Sequence, residues 1–224
     1  IVNTDHGFLL GEHDWWAKCV QPFYDEVAHT PLFIWDPRSQ CRGVRRSSLV
    51  QTIDLAPTLL EFFGVARPRD MQGVPLRDTI ANDAPVREAG LFGLFGAHVN
   101  VTDGRYVYMR APTGPSNEPL YEYTHMPTHM DHSFAVEELQ DIRLAEPFSF
   151  TKGCRTMKIR GRSWVNPYEF GTLLFDLQSD PKQEHPIKDP EVEQHMIAHL
   201  MRLMQENDAP PEQFQRLGLP GPVL

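Results

Sequence analysis

The chain has 224 residues and a formal net charge of −9, with 41% apolar and 23% charged residues, the composition of an ordinary globular chain. The acidic balance excludes non-specific binding to nucleic acid or to an anionic membrane surface, since both need a basic face, and no apolar run approaches the ~18 residues of a spanning helix. Cys19, Cys41 and Cys154 are odd in number and lack CxxC spacing; this excludes a zinc ribbon and predicts reduced thiols in a cytoplasmic protein, with a periplasmic protein holding one disulfide as the alternative.

In chain order, residues 1–4 (IVNT) read as the end of a buried strand, so Asp5-His6-Gly7 falls where a strand meets its loop, the place where open α/β sheets gather ligands. Residues 8–22 read as loop with some helix. Residues 30–35 (TPLFIW) form a second apolar strand, stopped by Asp36-Pro37. In SLVQTIDLAPTLLEFFGV, Leu49, Ile53, Leu55, Leu59, Leu60 and Phe63 recur at helical spacing. Asp54 is placed to cap the helix, Pro57 lies in its first turn and Gly64 stops it, which predicts an amphipathic helix packed on a sheet.

The texture changes near residue 88. Val99 and Val101, the turn Thr102-Asp103-Gly104-Arg105, and Tyr106 to Met109 predict a hairpin. Residues 111–165 are rich in Pro, His and Met and predict a long irregular excursion. A short strand follows at Leu173, Leu174 and Phe175, with a turn at Ser179-Asp180-Pro181. Asp189 and Pro190 then open a helix striped by Val192, Met196, Leu200, Leu203 and Met204. The tail after Pro210 reads as loose. The order predicts the end of a doubly wound sheet over residues 1–88 and an α+β subdomain over 89–224.

Asp5 and His6 offer a carboxylate oxygen and an imidazole nitrogen to a divalent metal when the chain turns sharply between them, and Gly7 permits such a turn. The plainer reading is a turn-capping aspartate beside a surface histidine. Lys18 is by default a solvated charge; beside a metal site it would offset the oxygens of an anionic ester. His13 and Asp14 could line the same site or simply face solvent.

These residues come in an ordered series. TDHG, then LGEH, a lysine twelve residues after the histidine, FYDEVAHTPLFIWDP, TIDLAPTLLEFFGV, MQGVPL, and LFDLQSDPKQEHPI near the end together resemble the sulfatases of the alkaline phosphatase superfamily. The resemblance is thinnest over 111–165. It implies an α/β fold: the end of an alkaline-phosphatase-like mixed or parallel sheet with helices, followed by a small antiparallel sheet packed on a C-terminal helix. It also implies that Asp5 and His6 match the family's metal-binding pair and that Lys18 matches the lysine that contacts the sulfate. His29 stands where the family usually has arginine, and it receives no role. The implied metal is calcium, with manganese beside it because a histidine ligand suits a transition metal.

The family's nucleophile is a formylglycine made within a C/S-x-P-S-R motif, and no such motif occurs in the chain. The sequence therefore reads as the C-terminal portion of a sulfatase acting on a small-molecule sulfate ester, with the isolated chain expected to be inactive. Two alternatives stay open: phosphonate or phosphate ester hydrolysis by the same superfamily, and a non-catalytic, self-associating module, expected as a homo-oligomer. In the excursion, His125, His129 and His132 have helical spacing, but Pro127 interrupts it, so a substrate loop containing His125 and His129 is weighed against a histidine-rich surface. Lys152 opens a basic run, with Arg155, Lys158, Arg160 and Arg162, that would meet an anionic group or merely face solvent.

Overall fold

The computed structural model describes residues 1–19, 22–126, 128–129 and 132–221. It is a mixed α/β chain whose principal core lies in its second half.

The first half is built from short pieces. β1 (Val2–Asn3) pairs antiparallel with β4 (Leu32–Phe33). Between them β2 (Leu9–Leu10) and β3 (Trp16–Ala17) form a second ribbon, followed by the single-turn α1 (Asp25–Ala28). The start of the chain, expected as a buried strand end, is exposed: Val2 is 67% and Phe33 67% accessible. The physical reason is that the β1–β4 ribbon has no third strand among the described residues.

The helix expected around residues 49–63 begins as a 3₁₀ turn (Thr52–Asp54) and continues as α2 (Leu55–Phe62), with Gly64 at φ +68° beyond it. It differs from expectation in two ways. Its apolar residues Ile53, Leu59 and Phe63 are exposed instead of resting on a sheet. The Asp54 carboxylate does not cap α2; it reaches back to the Gln51 N–H (2.8 Å) and across to the Val74 N–H (2.9 Å), and is fully buried. Asp54 also meets the Arg87 guanidinium. Gly73 gives MQGVPL its shape, because a Cβ there would lie 2.0 Å from the Ile53 carbonyl oxygen. The six-residue α3 (Arg77–Asn82) follows.

β5 (Gly90–Gly93), β6 (Val99–Thr102), β7 (Tyr106–Arg110) and, later in the chain, β11 (Leu173–Asp176) make a four-stranded antiparallel sheet in the order β11-β7-β6-β5. The expected hairpin forms, with Val101 opposite Tyr108. Alternation along the strands sends Val101, Tyr108 and Leu174 to one face and Val107, Met109 and Phe175 to the other. The first face is covered by α4 (Pro190–Glu206), whose Met196, Leu200 and Met204 are buried. Asp189 caps α4, accepting from Glu191 N–H (3.1 Å) and Val192 N–H (3.2 Å).

Two expectations for this half are corrected. Residues 111–165 contain a three-stranded antiparallel sheet of β8 (Tyr121–Thr124), β9 (Arg143–Ala145) and β10 (Thr156–Arg160), in the order β8-β10-β9. The tail after Pro210 is not loose: α5 (Pro211–Leu217) buries Phe214 and Leu217 against α4 and the sheet, and Gly218 at φ +62° ends it. Arg216 on α5 is also buried, bound by neutral acceptors, Asn117 Oδ1 at 2.7 Å and Gln213 Oε1 at 3.0 Å, and burial pulls its pKa down to about 10.

Candidate active site

The β2–β3 hairpin returns the chain on itself, with Leu9 opposite Ala17 and Leu10 opposite Trp16. Its loop is closed by Gly11 N–H to the Trp15 carbonyl (3.0 Å) and by Leu10 N–H to Glu12 Oε2 (2.6 Å). Gly11, His13 and Asp14 all take positive φ, so the reversal is tight. The hairpin thus delivers Lys18 to His6, and the Lys18 ammonium contacts His6 Nε2.

That contact and one other define the imidazole. His6 Nδ1 lies 2.9 Å from the Gly7 carbonyl oxygen and must carry the hydrogen, leaving the Nε2 lone pair free to meet a cation. Asp5 Oδ2 lies 3.1 Å from the same Nε2. Although desolvation pushes the Asp5 carboxyl up, the His6 N–H (3.0 Å) and the Thr4 hydroxyl (3.3 Å) donate to it and hold its pKa below the usual value. The Asp5 carboxylate and the Lys18 ammonium therefore both lie against the same imidazole nitrogen.

Gly7 holds the pair in place. Its N–H donates to the Val27 carbonyl (2.9 Å), and a Cβ would sit 1.7 Å from the Glu26 carbonyl oxygen. No other residue type fits there without moving α1.

Asp5 and His6 offer a divalent metal two donors, one oxygen and one nitrogen 3.1 Å apart. Among the described residues, no group of three or more His, Cys, Asp or Glu side chains converges to complete a coordination shell.

The other candidate residues lie elsewhere. His13 stacks on Tyr24, with ring centroids 3.7 Å apart, and its Nε2 lies 3.3 Å from Glu26 Oε2. His125 and Lys152 line a common cavity of about 600 Å³ with Tyr123, Phe148, Phe150 and Thr156. Asp5, His6 and Lys18 are not among its lining residues. His129 pairs with Glu138 (3.1 Å) instead of lining the cavity. Pro127, read as the break between the histidines, lies outside the described residues. Most of the basic run is paired with acids: Lys152 with Asp70 (3.3 Å), Arg155 with Glu146 (2.8 Å), Lys158 with Glu212 (2.6 Å), and Arg160 with Glu118. All three cysteines are free. The supporting residues that sequence reasoning missed are Gly7's partners, Glu26 and Val27; only the glycine directly after an Asp-His pair hinted at such a close approach.

The chain belongs to the N-sulphoglucosamine sulphohydrolase C-terminal family, whose match covers residues 11–146, more than half of the chain. Lys18 lies inside that segment; Asp5 and His6 lie just ahead of it. The chain is 37% identical over 83 residues to N-acetylglucosamine-6-O-sulfatase of Bacteroides thetaiotaomicron, covering 37% of this chain and 14% of that protein. It is 27% identical over 127 residues to the delta 4,5-hexuronate-2-O-sulfatase of the same organism, covering 56% and 25% of the two. Human arylsulfatase K is 31% identical over 91 residues, covering 39% and 16%. The chain therefore spans a quarter or less of the length of these relatives.

Among solved structures, a protein bound to its substrate D-glucosamine-2-N,6-O-disulfate superposes with a TM-score of 0.59 at 18% identity, over 92% of this chain and 34% of that one. A 2-O GAG sulfatase gives 0.59 at 17% identity, over 99% and 38%. At these identities the likeness is one of fold.

Proposed function

We propose that this chain supplies metal and sulfate contacts to a sulfatase active site that hydrolyses a sulfate ester, the nucleophile coming from outside residues 1–224. The observation that carries this reading is the convergence of the Asp5 carboxylate and the Lys18 ammonium on His6 Nε2. Asp5 and His6 would hold a divalent ion, calcium or manganese, which when bound polarises sulfate oxygens. Freed from His6, the Lys18 ammonium would offset charge developing on the transferring sulfuryl group. The Gly7 carbonyl keeps the hydrogen on Nδ1 and so keeps the Nε2 lone pair aimed at the ion. The sulfated amino-sugar relatives support a sulfated saccharide as the ester.

The test is turnover of a sulfated N-acetylglucosamine by a sulfatase that carries these residues as its C-terminal portion. Lys18→Ala is expected to lower kcat by about 10²–10³. Asp5→Ala is expected to raise the metal concentration needed for half-maximal activity. Wild-type turnover from both variants removes these roles.

A second reading is favoured by one observation, the bare apolar side chains Val2, Phe33, Trp35 and Phe63, between 67% and 72% exposed. On this reading, residues 1–224 alone associate with further copies of themselves. Light scattering over a wide concentration range tests it, and a constant monomer mass rejects it.

A further inference from the structure

The outer face of α4 carries two histidines one turn apart, His195 and His199, which the site above does not use. They flank the buried Met196 and Leu200, so the helix that presents them is fixed by the core. Their Nε2 atoms lie 3.1 Å apart and the rings meet edge to face, with centroids 4.5 Å apart. We propose that His195 and His199 form a bidentate site for a first-row transition metal ion such as Cu²⁺, Ni²⁺ or Zn²⁺.

The bite is the first argument. With metal–nitrogen bonds of ~2.0–2.1 Å, two nitrogens 3.1 Å apart subtend about 98° at the ion. That lies between the right angle of square-planar or octahedral coordination and the tetrahedral angle. Histidines at i and i+4 present their rings side by side, which is the geometry helical zinc motifs use. Ordering two rings on a packed helix has already been offset by folding, so the ion meets donors in position.

Charge and proton balance are the second argument. The neighbours are Arg202, whose Nη2 lies 3.3 Å from His199 Nδ1, and the acids Glu88, Asp103 and Glu206. In the ion-bound state both Nε2 lone pairs face the metal: His195 keeps its hydrogen on Nδ1, and the His199 hydrogen moves from Nε2 to Nδ1. That exchange within the His199 ring releases no proton. Arg202 gives up His199 Nδ1 and keeps Glu206 (3.1 Å) and Glu88 (3.7 Å). Burial, then the charges of His195 and Arg202, lower the His199 pKa, so that ring is available as a neutral ligand at pH 7. Water fills the remaining positions, since no cluster of three or more ligating side chains occurs among the described residues. Affinity should follow the usual order for imidazole sites, with Cu²⁺ tightest.

The test is calorimetric titration of the chain with Cu²⁺, Ni²⁺ or Zn²⁺ in an Asp5→Ala/His6→Ala background, so that the outcome does not depend on the sulfatase reading. One ion per chain is expected, with Cu²⁺ tightest. His195→Ala and His199→Ala should each weaken it by at least about 10-fold. Both positions are on the helix's outer side, so the metal-free urea midpoint should stay unchanged and loss of binding cannot be attributed to unfolding. Cu²⁺ should broaden amide resonances of residues 192–203. Broadening centred instead on the histidines of residues 125–132, or affinity unchanged in both variants, or no binding at millimolar ion, overturns the proposal.

Discussion

Two helices with similar apolar stripes end in opposite environments. In α4, Met196, Leu200 and Met204 are at most 3% exposed; around α2, Ile53, Leu59 and Phe63 are 45% to 72% exposed. The difference is not in the helices but in what covers them: α4 lies across a four-stranded sheet, while α2 has no sheet beneath it among the described residues. Burial is a property of the pair of surfaces, and periodicity reports only one of them. The candidate site sits in the poorly covered half. It borrows rigidity through a few joints: Tyr24 packed against the Val107, Met109 and Phe175 face of the sheet, Phe23 against Phe92, and Asp25 N–H donating to Gln183 Oε1 (2.6 Å).

The contrast gives its largest expected effect in the core. Phe214→Ala should destabilise the chain by about 3–5 kcal/mol, whereas Phe63→Ala, at a side chain 72% exposed, should stay within about 0.5 kcal/mol. Urea midpoints measure both, and equal losses would erase the distinction between the two halves. Next comes the joint between them. Asp54 is fully buried against Arg87, while Gln51 Nε2 donates to the Leu91 carbonyl (2.7 Å) on β5. Asp54→Ala leaves that guanidinium without its carboxylate and should cost about 3 kcal/mol. A neutral outcome would mean that the first half is not coupled to the sheet through this pair.

A third change leaves the core alone and sharpens the site. Gly7→Ala forces the Glu26 carbonyl away and should misalign Asp5 and His6. In a sulfatase carrying these residues, metal affinity is expected to fall by about 10–100-fold, with the urea midpoint changing less than for Phe214→Ala. Unchanged affinity would show that the pair does not depend on this close approach.

Much of this was readable from local chemistry, and the failures share a cause. The hairpin over 99–110 was legible because Asp103-Gly104 sits between its alternating runs, and α4 because Asp189-Pro190 announces its start. Asp5, His6 and Lys18 were legible as a group only through the ordered resemblance, since nothing local says that a hairpin at 9–17 brings residue 18 back to residue 6. The sheet of β8, β9 and β10 was missed because its pairings, such as Met157 opposite Thr124, join residues far apart in the chain and no two-residue hairpin turn links its strands. α5 was missed although its signals were present: Pro211 at the first position, Gly218 beyond the end, and Phe214 three residues before Leu217. Arg216, one residue from the helix end, is charged yet buried on neutral acceptors, which no local pattern announces.

The smallest expected effect concerns pH and the outer surface of the first half. Asp83 ends α3 in the left-handed conformation, φ +58°. Its carboxylate accepts from the Ser48 N–H (3.0 Å), the Ser47 N–H (3.1 Å) and the Ser47 hydroxyl (2.9 Å). The Ser48 and Ser47 N–H groups hold its pKa far below the usual carboxylate range. A carboxylate depressed in the folded state binds a proton more readily once unfolded. Its stabilisation is therefore complete above the unfolded value of ~3.9 and fades as pH falls below it. Asp176, held down by Arg105, acts with the same sign in the second half. Asp83→Asn keeps a residue type that tolerates the left-handed backbone but removes the charge. The variant should lose less stability than wild type between pH 5 and pH 2, the two curves converging at the acid end. Parallel curves would mean that the Ser47 and Ser48 contacts do not persist in solution, and that the link from residues 47–48 to the end of α3 is looser than these distances imply.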